Sequence, residues 1–221
     1  MKNLKLLILA PAVLFFLNTN AQYKDLEGVF FGKVIALGAG YSIHGYSDKA
    51  IGTQSSITAI NYSVLLNKKF IASSRLAFHK KFSVTYNGDD FGTPYSQTAT
   101  FKFIEYEAGL KFAVTPGGTD KPTSVFFSVL AGALFGKQKV IDSRYGETEN
   151  SDDSKIVLGA GLTLLQRVGS RFILFAEPAY RLVVEPETFK IYLGDNQEKQ
   201  IKLNHYCVQV GFLFLIGKSN K

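Results

Sequence analysis

A chain of 221 residues with a formal net charge of +7 and one cysteine, Cys207, is long enough for a single barrel or sandwich domain. It excludes a disulfide framework and a cysteine-based zinc site. Its cations are scattered, with no Lys/Arg block and no basic helix, so the basic balance does not point to nucleic acid. Past residue 21 no apolar run approaches the roughly 20 residues of a spanning helix. A membrane location would therefore require a closed barrel.

The first element reads as an export signal. Lys2 and Lys5 form a short basic region, Leu6 to Leu17 is uninterruptedly apolar, and the small residues Thr19 and Ala21 stand where a signal peptidase reads. Cleavage after Ala21 is expected, following export through the Sec pathway, with residues 22–221 forming one barrel domain. Loss of Lys2 and Lys5 takes Lys+Arg from 25 to 23 against 18 Asp+Glu, a net +5. The residue after the cleavage site is Gln22 and not a cysteine, which argues against a lipoprotein anchor.

Eight segments then alternate with period two, and each predicts a strand. The first, Phe31–Tyr41, sets Phe31, Ile35, Leu37, Ala39 and Tyr41 against Gly32, Val34, Ala36, Gly38 and Gly40. The second, Thr58–Leu66, sets Ile60, Tyr62, Val64 and Leu66 against Asn61 and Ser63. The third, Phe70 to about Tyr86, sets Leu76, Phe78, Phe82 and Val84 against Arg75, His79, Ser83 and Thr85. The fourth gives the cleanest alternation, from Ile104 to Val114, with Glu105, Glu107, Gly109 and Lys111 on its other face. The fifth (Val125–Gly136), sixth (Ile156–Leu164), seventh (Phe172–Leu182) and eighth (Tyr206–Ile216) repeat the pattern. Apolar faces about 9 to 11 residues long match a tilted strand crossing a bilayer.

The connections alternate too. Ser42–Ser55, Asn87–Gln97, Lys137–Asp153 and Glu185–Asn204 are long and polar; Asn67–Lys69, Thr115–Pro122 and Arg167–Ser170 are short. Short periplasmic turns and long external loops have this asymmetry. In the fourth long loop, Phe189, Ile191 and Leu193, then Gly194-Asp195-Asn196, then Ile201 and Leu203 predict a hairpin continuing the last two strands.

Alternation alone would also fit a soluble, lipocalin-like barrel with its apolar face inward. The less apolar face here is mostly Gly, Ser, Thr and Ala with isolated charges, which suits the crowded interior of eight strands. The apolar face is then the lipid face. Phe31, Phe70, Phe112, Phe172 and Phe214 near the short turns, and Tyr41, Phe135, Tyr180 and Tyr206 near the long loops, read as two aromatic girdles. Lys80 falls on the lipid parity and is expected at the outer interface or beside a bulge. The expected fold is an all-β, eight-stranded antiparallel up-and-down transmembrane β-barrel.

The signal ending in Ala21-Gln22, the eight alternating strands, the run Phe-Ala-Glu-Pro-Ala-Tyr-Arg at 175–181 and the closing Val-Gly-Phe-Leu-Phe at 210–214 together resemble the small outer-membrane β-barrels of the Bacteroidetes, the OmpA/OmpX/PorT-like group. The resemblance spans the mature chain and implies residence in the cell outer membrane. It carries no catalytic signature; members of the group include structural barrels and secretion-associated proteins. Many barrel proteins of this kind end on an aromatic assembly signal. This chain runs on to Lys221, so Phe212 or Phe214 would have to serve.

Seven residues of inward parity form the candidate lumen charge network: Arg75, His79, Glu105, Glu107, Lys111, Glu177 and Arg181. Glu177 and Arg181, four apart on one strand, are too distant along it to be nearest neighbours but can reach adjacent strands. A side-chain plug is the leading reading, since buried charges need partners; a gated pore or proton-linked site is the other. An enzyme acting on lipid A, a deacylase or acyltransferase, would need a histidine with a serine and an acid. His44, placed in the first external loop, and His205, at the outer rim, are its candidates. Cys207 reads as an inward filler. Gly38-Ala39-Gly40 and Gly117-Gly118 open no helix and are not phosphate loops. Loop three, with Asp142, Glu147, Glu149, Asp152 and Asp153, could hold a cation or partner, and the hairpin around Gly194 could add a strand to one. No cofactor and no nucleic acid are expected. Outer-membrane lipid, and a protein partner at the external loops, are the expected contacts. The reading is a non-enzymatic barrel serving surface interaction, envelope integrity or secretion support.

Overall fold

Runs of β-branched and aromatic residues at period two form long antiparallel strands here, because each strand can turn one set of side chains inward and the other outward. In a computed structural model, residues 34–49, 51–90, 92–184, 190–193, 197–200 and 202–216 are described. The signal, Phe31 and Gly32, Phe189, residues 194–196, Ile201 and the tail from 217 lie outside them. The strands are β1 (Val34–Tyr46), β2 (Thr53–Asn67), β3 (Phe70–His79), β4 (Phe82–Asp90), β5 (Thr93–Ala113), β6 (Thr123–Asp142), β7 (Gly146–Val168), β8 (Phe172–Val183), β9 (Lys190–Leu193), β10 (Gln197–Gln200) and β11 (His205–Ile216).

Neighbours in sequence are neighbours in the sheet, and β11 returns to β1 along an unbroken register from Ile35↔Ile216 to Tyr46↔His205. With β3 paired to β5, the ring β1-β2-β3-β5-β6-β7-β8-β11 closes as an eight-stranded antiparallel barrel. Closure leaves no sheet edge around the ring. β4 continues the line of β3 and pairs with β5. β9 and β10 pair antiparallel in a sheet of their own, so the fourth loop does pair as predicted but does not continue β8 and β11.

The apolar parity faces out. Leu37, Ile60, Phe78, Tyr106, Leu110, Val129, Ile156, Leu162, Leu182 and Phe212 are all exposed, whereas Arg75, Glu105, Glu107, Lys111, Glu177 and Arg181 are buried. Aromatic pairs mark both ends of this belt. Phe70–Phe112 and Phe172–Phe214, with ring centroids 5.4 and 5.1 Å apart, lie toward the short turns, and Tyr180–Tyr206, at 4.7 Å, lies toward the long connections.

Two expectations are corrected. The third predicted strand is broken at Lys80-Lys81, and beyond the break its parity reverses: Phe82 and Val84 are buried, while Ser83 and Thr85 are exposed. Phe78 faces Ile104 and Phe82 faces Phe101, so three residues on one strand oppose two on β5. That extra residue is a bulge, and with a side-chain period of two, one added residue turns everything after it over.

Second, three of the four long connections are mostly strand. β1 runs to Tyr46 and β2 starts at Thr53, so the first turn is far shorter than Ser42–Ser55. β5 and β6 likewise extend back to Thr93 and on to Asp142. These segments are polar because they rise above the apolar belt; ladder hydrogen bonds hold them regardless of side-chain polarity.

Candidate functional site in the barrel lumen

The lumen is stacked in layers. Toward the short turns, Ala36, Leu65, Ile71, Phe126, Leu165, Ile173, Phe175, Leu213 and Leu215 form an apolar layer. Toward the long connections, Tyr46, Ile51, Phe82, Val84, Phe101, Phe103, Leu134, Val140, Val157 and Leu203 form another. Between them lie the charges, and beside the upper layer lie the histidines.

The charged layer joins all six predicted ionic residues. Arg75 on β3 stands opposite Glu107 on β5 in the ladder and contacts its carboxylate. It also reaches Glu105 at 3.5 Å, Glu177 at 3.6 Å and, through a hydrogen bond, Gln209. Arg181 on β8 meets Glu107 at 2.6 Å, Glu177 at 3.4 Å and Glu105 at 3.8 Å. Lys111 donates to Glu177 at 2.5 Å and to Thr163 at 2.9 Å, and the Thr163 hydroxyl donates to the same carboxylate. Three cations thus face three carboxylates, and the layer is electrically balanced. Buried ions without partners would be costly, which is why the set is complete rather than scattered.

Glu177 and Arg181 do touch, against the sequence-based expectation. The guanidinium reaches back along its own strand over Gly159, where a side chain would block it. Pro178, which has no amide hydrogen, interrupts the β7–β8 ladder between Gly161↔Ala179 and Leu164↔Ala176, beside the Thr163–Glu177 contact.

All three histidines converge. His44 lies in β1 with its side chain buried, not in an external loop; the inward parity of Ser42 simply continues through His44 to Tyr46. His205 opens β11 as expected but points into the lumen and is buried. The ring of His44 is 4.6 Å from that of His79 and 4.9 Å from that of His205, and the Tyr46 ring lies tilted 4.8 Å from His205. His79 Nε2 sits 2.7 Å from Glu105, linking this cluster to the charged layer, and His205 Nδ1 donates to the Leu203 carbonyl at 2.8 Å.

The chemistry this permits is narrow. His44 Nε2 lies 2.7 Å from Ser56 Oγ, a serine–histidine contact. An activated nucleophile also needs an acid on the other ring nitrogen. His44 Nδ1 has no hydrogen-bond partner among the described residues, and Ser56 and His44 are each 2 % exposed. The acid in the cluster, Glu105, serves His79 instead. Among the described residues no group of three or more His, Cys, Asp or Glu side chains is arranged to hold a metal ion. One cavity of about 20 Å³ lies between Asn61, Lys111 and Phe175, and another of about 10 Å³ lies beside Arg75 and Glu177. Such spaces hold about one water, not a ligand.

Tyr46, Ser56, Thr163 and Gln209 also belong to the site. Thr163 and Gln209 have inward parity in the sequence, and counting on by twos from Ser42 reaches Tyr46; the partners they meet, and the place of Ser56, follow only from cross-strand register. Three acidic residues of the third loop are paired, while the side chains of Glu149 and Asp152 lie outside those described. Asp142 is bound by Arg144 at 3.0 Å and Gln97 at 2.8 Å, Glu147 by Lys139 at 2.5 Å, and Asp153 by Lys155 at 2.7 Å. Arg144 holds the Asp142 carboxyl below the ordinary carboxylate range.

The chain matches no protein-family description and no curated protein. Among solved structures it is similar to the outer membrane protein OprG from Pseudomonas aeruginosa, at 12% identity and a TM-score of 0.54, over 88% of this chain and 100% of that one. Alignments to Ail, the attachment invasion locus protein of Yersinia pestis (14% identity, TM-score 0.49, 83% and 99% covered), and to Neisserial surface protein A (14%, 0.48, 82% and 96%) are looser. At these identities the likeness concerns the fold, that of small outer-membrane barrels.

Proposed function

We propose that this protein is a non-enzymatic outer-membrane barrel, exported by a signal removed near Ala21, with a side-chain plug in place of a channel and an outer end serving surface interaction, envelope integrity or secretion support. The observation that carries the reading is the inverted polarity. The three carboxylates and three cations of the charged layer are buried inside, while leucines, isoleucines and phenylalanines of every barrel strand face out. Such a surface is stable against lipid and would aggregate in water.

Against a lipocalin-like carrier stands an interior filled with ions and aromatic rings. Against a lipid A deacylase or acyltransferase stands a His44–Ser56 contact enclosed within the lumen and lacking an acid. Against an open pore stand the two apolar layers. Membership of the Bacteroidetes small-barrel group is part of the same proposal and rests on the run at 175–181 and the close at 210–214.

The test is electrophoresis of the outer-membrane fraction with and without boiling. A folded species that runs ahead of the boiled one supports the membrane barrel. A soluble periplasmic protein with no such shift would overturn it.

A further inference from the structure

Two of the three lumen histidines leave a ring nitrogen bare. His205 Nδ1 donates to the Leu203 carbonyl at 2.8 Å, so Nε2 carries the lone pair, and that atom is buried with no hydrogen-bond partner among the described residues. His44 Nε2 is taken by Ser56 Oγ at 2.7 Å, and His44 Nδ1 is buried without a partner in the same way. His79 differs. Glu105 holds its Nε2 at 2.7 Å, and its Nδ1 faces the Tyr46 hydroxyl at 3.4 Å. Buried polar atoms in folded proteins are almost always satisfied, so two orphans in one cluster of rings need a cause.

An imidazole in water takes up a proton below a pH of about 6.5. Inside the cluster the same proton would add a positive charge within 4.9 Å of a neighbouring ring. The charged and titratable groups facing His44 and His205 are Arg75 and His79 from β3, Glu105 from β5, Arg181 from β8, Tyr46 from β1 and Cys207, opposite His44, from β11. β2 contributes the Ser56 hydroxyl. Glu105 is the carboxylate among them, and His79, Arg75 and Arg181 already share it. One layer further in, Glu107 and Glu177 are held by the same two arginines. Near the upper layer, Lys155 of β7 is bound to Asp153. The charged layer is balanced without the histidines, so a proton on either bare nitrogen meets no free counter-charge.

His205 is also a fastening. It opens β11 on the rung next to the Tyr180–Tyr206 pair, and its bond to Leu203 ties down the chain that enters the strand. Leu203 is buried in the upper apolar layer. The Asn204 carbonyl accepts from the Ser47 amide and hydroxyl, each at 2.8 Å, and the Asn204 side chain accepts from the Val183 amide at 2.9 Å. We propose that His44 and His205 form a proton-operated latch on the outer mouth of the lumen. Acid draws the two rings into water and releases Leu203 and Asn204 from the ends of β1 and β8; neutral pH closes the mouth again. The inference rests on the plugged-barrel reading above. The closed state excludes the proton and the open state binds it, so opening gains as pH falls below the ordinary histidine value.

The test is hydrogen exchange of the full mature barrel in phosphatidylcholine nanodiscs at pH about 7.5 and about 5, either side of the ordinary histidine value of about 6.5. Rates are corrected for the intrinsic pH dependence of exchange. The Ser47 amide, which donates to Asn204, reports the latch, and the Leu130 amide, within β6, reports the barrel. In the wild type, Ser47 protection should fall about tenfold or more at the lower pH while Leu130 keeps its own; one ring alone, denied its proton when closed, gives up to about 30-fold there. H44Q/H205Q, neutral at both pH values and still heat-shifted on the gel, should show no fall, and each single variant a smaller one. Equal Ser47 protection at the two pH values in the wild type overturns the latch without recourse to any variant. So does an undiminished fall in the double variant or, where the double variant loses the heat shift, in both single variants; the titrating group is then His79, Glu105 or Glu107. A joint fall at Ser47 and Leu130 overturns it as well, since the whole barrel then opens. Absence of the heat shift in the wild type removes the plugged-barrel reading, whereas flat exchange in a heat-shifted wild type removes the latch alone.

Discussion

Arg181 lies across Gly159. A β-carbon built on that glycine would come within 2.9 Å of Arg181 Cδ and 3.0 Å of a guanidinium nitrogen. The missing side chain on β7 is what allows the arginine on β8 to fold back to Glu177 while also meeting Glu107. G159A should be tolerated with modest loss, because the contacted atoms belong to a long flexible side chain. G159L should push the guanidinium out of the charged layer, leave Glu107 short of a partner and lower stability by about 3–5 kcal/mol. Urea titration of the heat-shifted band measures both.

The charged layer should respond to balance more than to the number of its ion pairs. E107L alone leaves Arg75 and Arg181 sharing two carboxylates and should cost about 3–5 kcal/mol. R75M/E107L removes one charge of each sign, leaving Arg181 and Lys111 against Glu105 and Glu177, and should recover much of that loss. A double variant weaker than the single one by the full cost of R75M would show that the layer's geometry, rather than its neutrality, sustains it.

The barrel was legible from residues such as Ile104, Tyr106, Ala108 and Leu110, because a strand with one face in lipid must write its period into the sequence. Glu105, Glu107 and Lys111 could be placed inward for the same reason. Parity could not say which cation meets which carboxylate; Arg75 finds Gln209 through a ring closure spanning 134 positions. Sequence polarity points to a loop at His44, whereas hydrogen bonds continue β1 well above the apolar belt. The inward turn of Phe82 is hidden because a bulge carries no residue signature stronger than two adjacent lysines.

The bulge makes its own prediction. Deleting Lys81 should leave two residues opposite two on β5 and remove the bulge, with Phe82 and Val84 still inward and Ser83 still outward. The upper apolar layer would then keep Phe82, which stacks 5.3 Å from Phe101 and lies 5.7 Å from Phe103. F82A should accordingly cost about 3–5 kcal/mol in the parent and in the deletion alike. Cysteine labelling from the aqueous side would report the parity: S83C should label in both. Protection of S83C in the deletion would mean that the strand has turned over and that the bulge does not set its parity.

The tip of the β6–β7 hairpin should loosen in acid. Asp142 accepts from the Arg144 backbone amide at 2.8 Å and from its guanidinium at 3.1 and 3.0 Å, and Gln97 donates to it across the ladder. Arg144 is in turn held over the Tyr95 ring at 3.9 Å. Hydrogen bonds to the ionised form place the folded carboxyl below its ordinary value, with Arg144 the largest cause. A depressed carboxylate contributes its stability above the unfolded value, and that contribution is lost as pH falls from there through the folded one. The Arg144 amide should therefore be protected from hydrogen exchange at neutral pH and lose protection only in strongly acidic solution. In D142N the carboxylate is absent at every pH, so protection should be weak throughout and flat with pH. If D142N keeps the acid-dependent loss, Asp142 is not the group that titrates.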